Sequence, residues 1–487
     1  TNINELNYNK SWAEYNNWND NTDWVDAVRK MGWNQTHGIT ISGGGEKATF
    51  RISANYDHQL GTIIKQQLDR FSTRLSLDYY VSDRIKFSTE FPLTYSKNQK
   101  NYGNNILGKA LQMAPNMSIY REDANGFDTN EYYIMLPEGQ VGAGSTVSGT
   151  SSEQLKSVRG IGNPVAIANL AYDNETTYRI NPEFKLNYYL MGTEERKTRL
   201  DYEGSVYLDV YSKSNPTWYP GSLSTAGWED SGYNRYAMDD YNSLAFTTRH
   251  QLIFTPWLGN DLAWTMLGRW EMTKGNGYGQ NVTENQLPDG VSSPTVPAYL
   301  RNMSTSNGEW RGMSGVFSNK TRYNADFTVR ADGTTKFGKN NKWGYFPGVS
   351  VRWNISDEPW MRWSRNVLSM LAVRPSWGVN GKAPSSEYLQ YAKYVAGSIY
   401  GNGNTTQTAT KVDGLQLVDL KWEKTTSWNL GANLGLFDDK LEADFNYYYK
   451  KTNDLLNAGV SIASQTGFGN LAWKNIGSME NKGWELN

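Results

Sequence analysis

The feature that most constrains this chain is a strict alternation of apolar and polar residues, sustained over long runs. In Ala48 to Asp57, Phe50, Ile52, Ala54 and Tyr56 fall on one face, and Thr49, Arg51, Ser53, Asn55 and Asp57 on the other. Tyr178 to Leu190 sets Ile180, Phe184, Leu186, Tyr188 and Leu190 against Arg179, Asn181, Glu183, Lys185 and Asn187. Phe71 to Tyr79, Leu200 to Val210, Leu262 to Trp270, Tyr323 to Ala331, Trp428 to Leu436 and Leu441 to Tyr449 repeat the pattern. A period of two is that of a β-strand with one apolar face, because successive side chains point to opposite sides. Several runs are longer than the ~5–6 residues usual in a soluble sheet and match the ~9–11 that a tilted strand needs to cross a bilayer.

In a transmembrane barrel the apolar face meets lipid and the charged face lines a wet lumen. Composition agrees. The 487 residues have a mean hydropathy of −0.67, and no apolar run reaches the ~18–20 residues of a membrane helix. The 19 Trp, 32 Tyr and 15 Phe argue against a disordered chain. With 48 basic and 49 acidic residues, nothing points to a polyanion surface such as nucleic acid. The absence of Cys removes thiol chemistry and disulfides and suits an oxidising compartment. Tyr and Trp at strand ends, such as Tyr79-Tyr80, Tyr188-Tyr189 and Tyr447 to Tyr449, suit interfacial girdles.

The connections sharpen this. Short links at Tyr80–Arg84, Met191–Lys197, Pro256–Asp261, Asn319–Arg322 and Asp438–Lys440 alternate with long ones. The long ones are expected at 96–171, 212–242, 273–311, 381–416 and 453–474. Tight turns on one rim and large loops on the other are the habit of an outer-membrane barrel.

Four stretches carry a resemblance. They are Asn21-Thr22-Asp23-Trp24 with His37 to Gly44; Arg330 to Gly338 with Trp343 to Pro347; Leu420 to Thr426; and Asn475 to Gly483. In this order they resemble the SusC/RagA-type TonB-dependent outer-membrane transporters. The resemblance implies an all-β, antiparallel transmembrane barrel of about 22 strands, the plugged class. It further implies that residues 1–36 lead into the barrel after a plug domain not in this chain. Residues 37–487 would then supply strands about 2 to 16, with the last strands absent. A chain that starts at Thr1 and stops at Asn487 inside a patterned segment fits a fragment. The implied function is import of nutrient oligomers, oligosaccharides first and peptides second, with a SusD-like surface lipoprotein and TonB as partners. A passive porin and an outer-membrane carbohydrate-active enzyme are the competing classes.

Site chemistry is sparse. His37, His58 and His250 stand on separate strands, without the spacing of a zinc site or a triad. Asp201, Glu203 and Asp209 alternate along one strand, as a solvated lumen face would have them. Neither a catalytic residue nor a cofactor is therefore expected. Asp123, Asn125 and Asp128, with Glu131 beyond, form an oxygen-rich turn that is a weak calcium candidate, since its spacing departs from the EF-hand loop. Trp218, Tyr219, Trp228 and Tyr233, with Trp310 in the next long link, are candidates to contact ligand or the lipoprotein lid. Loop packing is the competing role for all five.

The inside-out assignment is testable by thiol labelling in the full-length protein. Cys at Ser53 should react with a water-soluble reagent through the lumen, and Cys at Ile52 should not. Equal reactivity at both positions would defeat the assignment.

Overall fold

The structure, a computed structural model, describes residues 20–123, 125–134, 161–194, 197–224, 232–259, 262–288, 291–292, 302–319, 322–401 and 406–487. It begins with β1 (Trp33–Gly44), β2 (Ala48–Leu60), β3 (Gln67–Ser82) and β4 (Ile85–Lys100). A small hairpin, β5 (Tyr120–Glu122) and β6 (Asp128–Tyr132), interrupts the meander before β7 (Tyr172–Ile180) and β8 (Glu183–Met191). The sheet then runs through β9 (Arg199–Tyr219), β10 (Arg235–Thr255), β11 (Trp264–Glu284), β12 (Asn302–Asn319), β13 (Tyr323–Thr334), β14 (Trp343–Asn354) and β15 (Leu368–Lys382). After a second hairpin, β16 (Lys393–Gly401) and β17 (Thr406–Gly414), come β18 (Glu423–Leu436) and β19 (Leu441–Asn453). A third hairpin, β20 (Leu456–Ser461) and β21 (Asn470–Asn475), precedes β22 (Ser478–Leu486).

Apart from the three hairpins, these strands form a single 16-stranded sheet in which neighbours in space are neighbours in sequence. Every pairing is antiparallel, as short turns between consecutive strands require. β7 and β8 occupy one position, since both pair with β4 and β9. Asn181-Pro182 separates them, because Pro182 has no N–H to give the ladder.

The two faces divide as the alternation requires. Ile39, Ile41, Ile52, Leu75, Phe327 and Val329 are all exposed. Large side chains left bare in such number are stable only against hydrocarbon. The opposite face is concave and wet. Arg51, Ser76, Glu90, Glu183 and Lys185 line a hollow of about 670 Å³, and Ser53, Arg74 and Arg51 line the adjoining one of about 470 Å³.

Connection lengths keep the expected parity. On one rim lie 45–47, 83–84, 192–198, 256–263, 320–322, 355–367 and 437–440. On the other lie 61–66, 101–171, 220–234, 285–301, 335–342, 383–422 and 454–477. The loop boundaries themselves move. β9 and β10 remain paired out to Tyr219 and Arg235, and β11 and β12 out to Asn281 and Asn302. Much of the predicted loops 212–242 and 273–311 is therefore strand, built from polar sequence that continues the ladder beyond the apolar belt. The same holds for Gly381-Lys382 in β15, for the hairpin inside 381–416, and for most of the hairpin from Leu456 to Asn475. The first strand of the sheet, β1, begins at Trp33.

The long-loop rim has its own core. Short helices α1 (Trp24–Val28), α2 (Ile106–Ala110) and α3 (Pro164–Leu170) pack Trp24, Val28, Ile106, Val165 and Ile167 together with Leu223. Trp24 Nε1 donates to the Ala114 carbonyl at 3.0 Å, tying α1 to the β4–β7 connection. Asn163 caps α3 through Oδ1, while its amide nitrogen donates to Ile119 and Tyr133 carbonyls. A second core gathers Phe337, Phe346, Leu389, Leu420 and Trp422.

Leu75 lies mid-strand in β3 between Ile52 and Phe91. Leu75→Arg should cost the full-length protein ~2–4 kcal/mol, the penalty for a basic residue at the bilayer midplane. Arg74→Ala, one residue away on the wet face, should cost far less. Denaturant unfolding from vesicles measures both, and equal costs would contradict the face assignment.

Candidate ligand-capture surface

The aromatic candidates divide once their surroundings are known. Trp218 lies at the outer end of β9, 5.8 Å ring to ring from Tyr172, and its Nε1 donates to Asn234 Oδ1 at 2.8 Å. Tyr219 meets Tyr102 ring to ring at 5.0 Å in a tilted pair, donates its hydroxyl to the Leu223 carbonyl, and joins the rim core. Tyr233 lies across Gly221, where a Cβ would come within 2.5 Å of its ring, so only glycine fits beneath it. These three rings hold the rim together. Trp228 lies outside the described residues.

Asn234 organises this region, a residue that no sequence pattern singled out. It is 1% exposed and takes φ +38°, a left-handed conformation that asparagine tolerates better than most residues. Its Nδ2 donates to the carbonyls of Leu287 and Pro288 at 2.8 Å each, and to Val291 at 3.4 Å. One side chain thus joins the β9–β10 connection to the β11–β12 connection. These three carbonyls lie more than fifty residues away, beyond the reach of any local pattern.

Trp310 is different. It sits within β12, inside the predicted link 273–311, and shares the inward face with Gly312, Arg330 and Asp332. The Arg330 guanidinium lies 5.1 Å from the centre of its indole, and Arg330 Nε donates to Asp332 Oδ2 at 2.8 Å. Gly312, opposite Asp332, leaves the space in which the ring lies, since a Cβ there would come within 2.6 Å of it. Arg330 and Asp332 belong to a stretch that is recognisable in sequence as a family motif. Their contact with Trp310 depends on the β12–β13 register.

The polar candidates are engaged locally. Asp123 Oδ1 accepts from the backbone N–H of Asn125 and Phe127 at 2.8 and 3.0 Å. Those N–H groups hold its carboxyl below the usual carboxylate range. Gly126 follows at φ +84°, completing the β5–β6 turn. Among the described residues, no group of three or more His, Asp or Glu side chains has metal-binding geometry. Asp209 is held by both Arg179 Nε and Nη2 at 2.9 and 2.8 Å, and Glu203 accepts from Gln251. His58 pairs with Asp69 at 2.7 Å. His250 is bonded to the Tyr202 hydroxyl and to Thr248.

The family described as TonB dependent receptor-like, beta-barrel, matches residues 120–487 of this chain. TonB-dependent receptor SusC of Bacteroides thetaiotaomicron is 27% identical over 483 residues, covering 96% of this chain and 46% of that protein. TonB-dependent receptor P26 of Formosa agariphila is 27% identical over 502 residues, covering 96% of this chain and 44% of the relative. The RagAB peptide importer in its closed-closed state has the same fold, with a TM-score of 0.72 at 19% identity, covering 96% of this chain and 49% of that one. The chain spans a little under half the length of these relatives.

If Asn234 is the clamp of this rim, Asn234→Ala should strand buried carbonyls and the Trp218 N–H, at a cost of about 1–3 kcal/mol. Faster protease cleavage between β9 and β10 in otherwise intact full-length protein is the expected sign. Trp218→Phe, which keeps the ring and loses the N–H, should give a smaller effect in the same direction. Unchanged cleavage in both variants would remove the clamp.

Proposed function

The chain belongs to the TonB-dependent receptor-like β-barrel family of the outer membrane, and from that membership we propose that it forms much of the wall of an active importer for nutrient oligomers. The observation that carries this reading is the wall itself, with an apolar belt outside, a hydrated charged face inside, and folded loop structure gathered on one rim. The wet face offers a path for a polar solute, and the looped rim offers a surface for a partner. In this reading the partner is a SusD-like surface lipoprotein that closes over the mouth, and TonB supplies the energy. The similarity to the receptor SusC supports the same class.

Between the two oligomer classes the proposal takes peptides. An oligosaccharide importer needs flat aromatic faces free to stack on sugar rings. Trp218, Tyr219 and Tyr233 use theirs on one another's surroundings, and the face of Trp310 meets Arg330. The likeness to RagAB, a peptide importer, points the same way.

The test uses a strain lacking the full-length gene. Complementation should restore uptake of labelled oligopeptides, leave free amino-acid uptake unchanged, and fail when a protonophore collapses the proton gradient. Uptake that continues without energy would make the protein a passive pore. Restored uptake of oligosaccharides instead of peptides would return the substrate to glycans.

A further inference from the structure

The inner wall carries several arginines, and some have spent their hydrogen-bonding forks. Arg179 gives Nε and Nη2 to Asp209, and Arg249 gives the same pair of nitrogens to Glu271. An arginine bound in this way has little left with which to grip a second carboxylate. Arg330 is held otherwise. Asp332 takes only its Nε, Trp310 supports one face of the guanidinium, and among the described residues the terminal nitrogens have no partner. The side chain is 41% exposed toward the lumen.

This arrangement has the elements of a pre-set anion reader. Stacking on an indole and an Nε brace fix the plane of the guanidinium, so little rotamer freedom remains to be lost on binding. The two terminal N–H groups on one edge then match the spacing of a carboxylate. Asp332 is 8% exposed, and its Oδ1 is buried with no hydrogen-bond partner, so this oxygen does not compete for the open edge.

We propose that Arg330, set by Trp310 and Asp332, is a specificity-determining residue that binds a carboxylate of an acidic peptide passing along the lumen. The inference rests on the peptide-import reading above and deepens it. The site reads charge rather than a ring, because the guanidinium covers the indole face that a sugar would use. A flexible aspartate or glutamate side chain, or a peptide C-terminus, can reach an edge presented in this way.

The experiment offers two versions of one random octapeptide pool to purified full-length transporter, the first native and the second with all its carboxyl groups amidated. Bound peptide is counted by mass spectrometry. Wild type should retain the native pool at least tenfold better, the scale of one charge-assisted bidentate contact. Arg330→Ala should erase that preference and leave the amidated pool unchanged. Arg330→Lys, with charge but no fork, should restore only part of it, and Trp310→Ala should weaken it while Arg330 is still present. Equal retention of both pools by wild type, or equal loss of both in Arg330→Ala, overturns the proposal but leaves peptide import standing. Failure of wild type to bind either pool overturns both readings. Arg330-dependent retention of oligogalacturonate, with no peptide bound, would assign the site to acidic glycans instead.

Discussion

Within hydrocarbon, every backbone N–H and C=O must find its partner inside the protein, and the rest of this structure depends on that constraint. Each strand of the sheet therefore pairs along its length with the next, and consecutive pairing needs only short turns. Once the ladder exists, the pleat sends alternate residues to opposite faces. Ile52 then meets lipid and Arg51 meets water through geometry alone. Even Asn181-Pro182, where a donor is missing, is accommodated by splitting one strand while both halves keep the same neighbours.

The wet face shows how charge is tolerated in such a wall. Carboxylates and basic groups are paired across adjacent strands, as in Arg179 with Asp209 and Arg249 with Glu271. Each pair is partly solvated, so its worth in stability is small, and its effect is to leave the wall close to electrically neutral. Against that background an arginine braced on an indole with its fork open stands apart.

The rim follows another logic. Its loops lie beyond the belt, where water competes for every hydrogen bond, so they fold only by building small cores of their own. Trp24, Ile106 and Ile167 supply one and Phe337 with Trp422 the other. Asn234 and Asn163 satisfy the carbonyls those cores would otherwise strand. Rings that looked available for ligand are consumed in the process.

What the sequence determined by itself was everything with a period of two: the strands, their faces, and the parity of short and long links. These are local properties, readable from residues a few positions apart, and the motifs from Asn21 to Gly483 placed them in a family. The extent of β9 to β12 was not legible, because their polar outer ends look like loop until a partner strand pairs with them. Nor were the contacts of Trp218 with Tyr172 and Asn234, or of Arg330 with Trp310. Those pairs are set by strand register and by the meeting of distant connections. A one-residue slip would send Arg330 to the other face. Only the assembled sheet could decide that it points into the lumen with its fork unfilled.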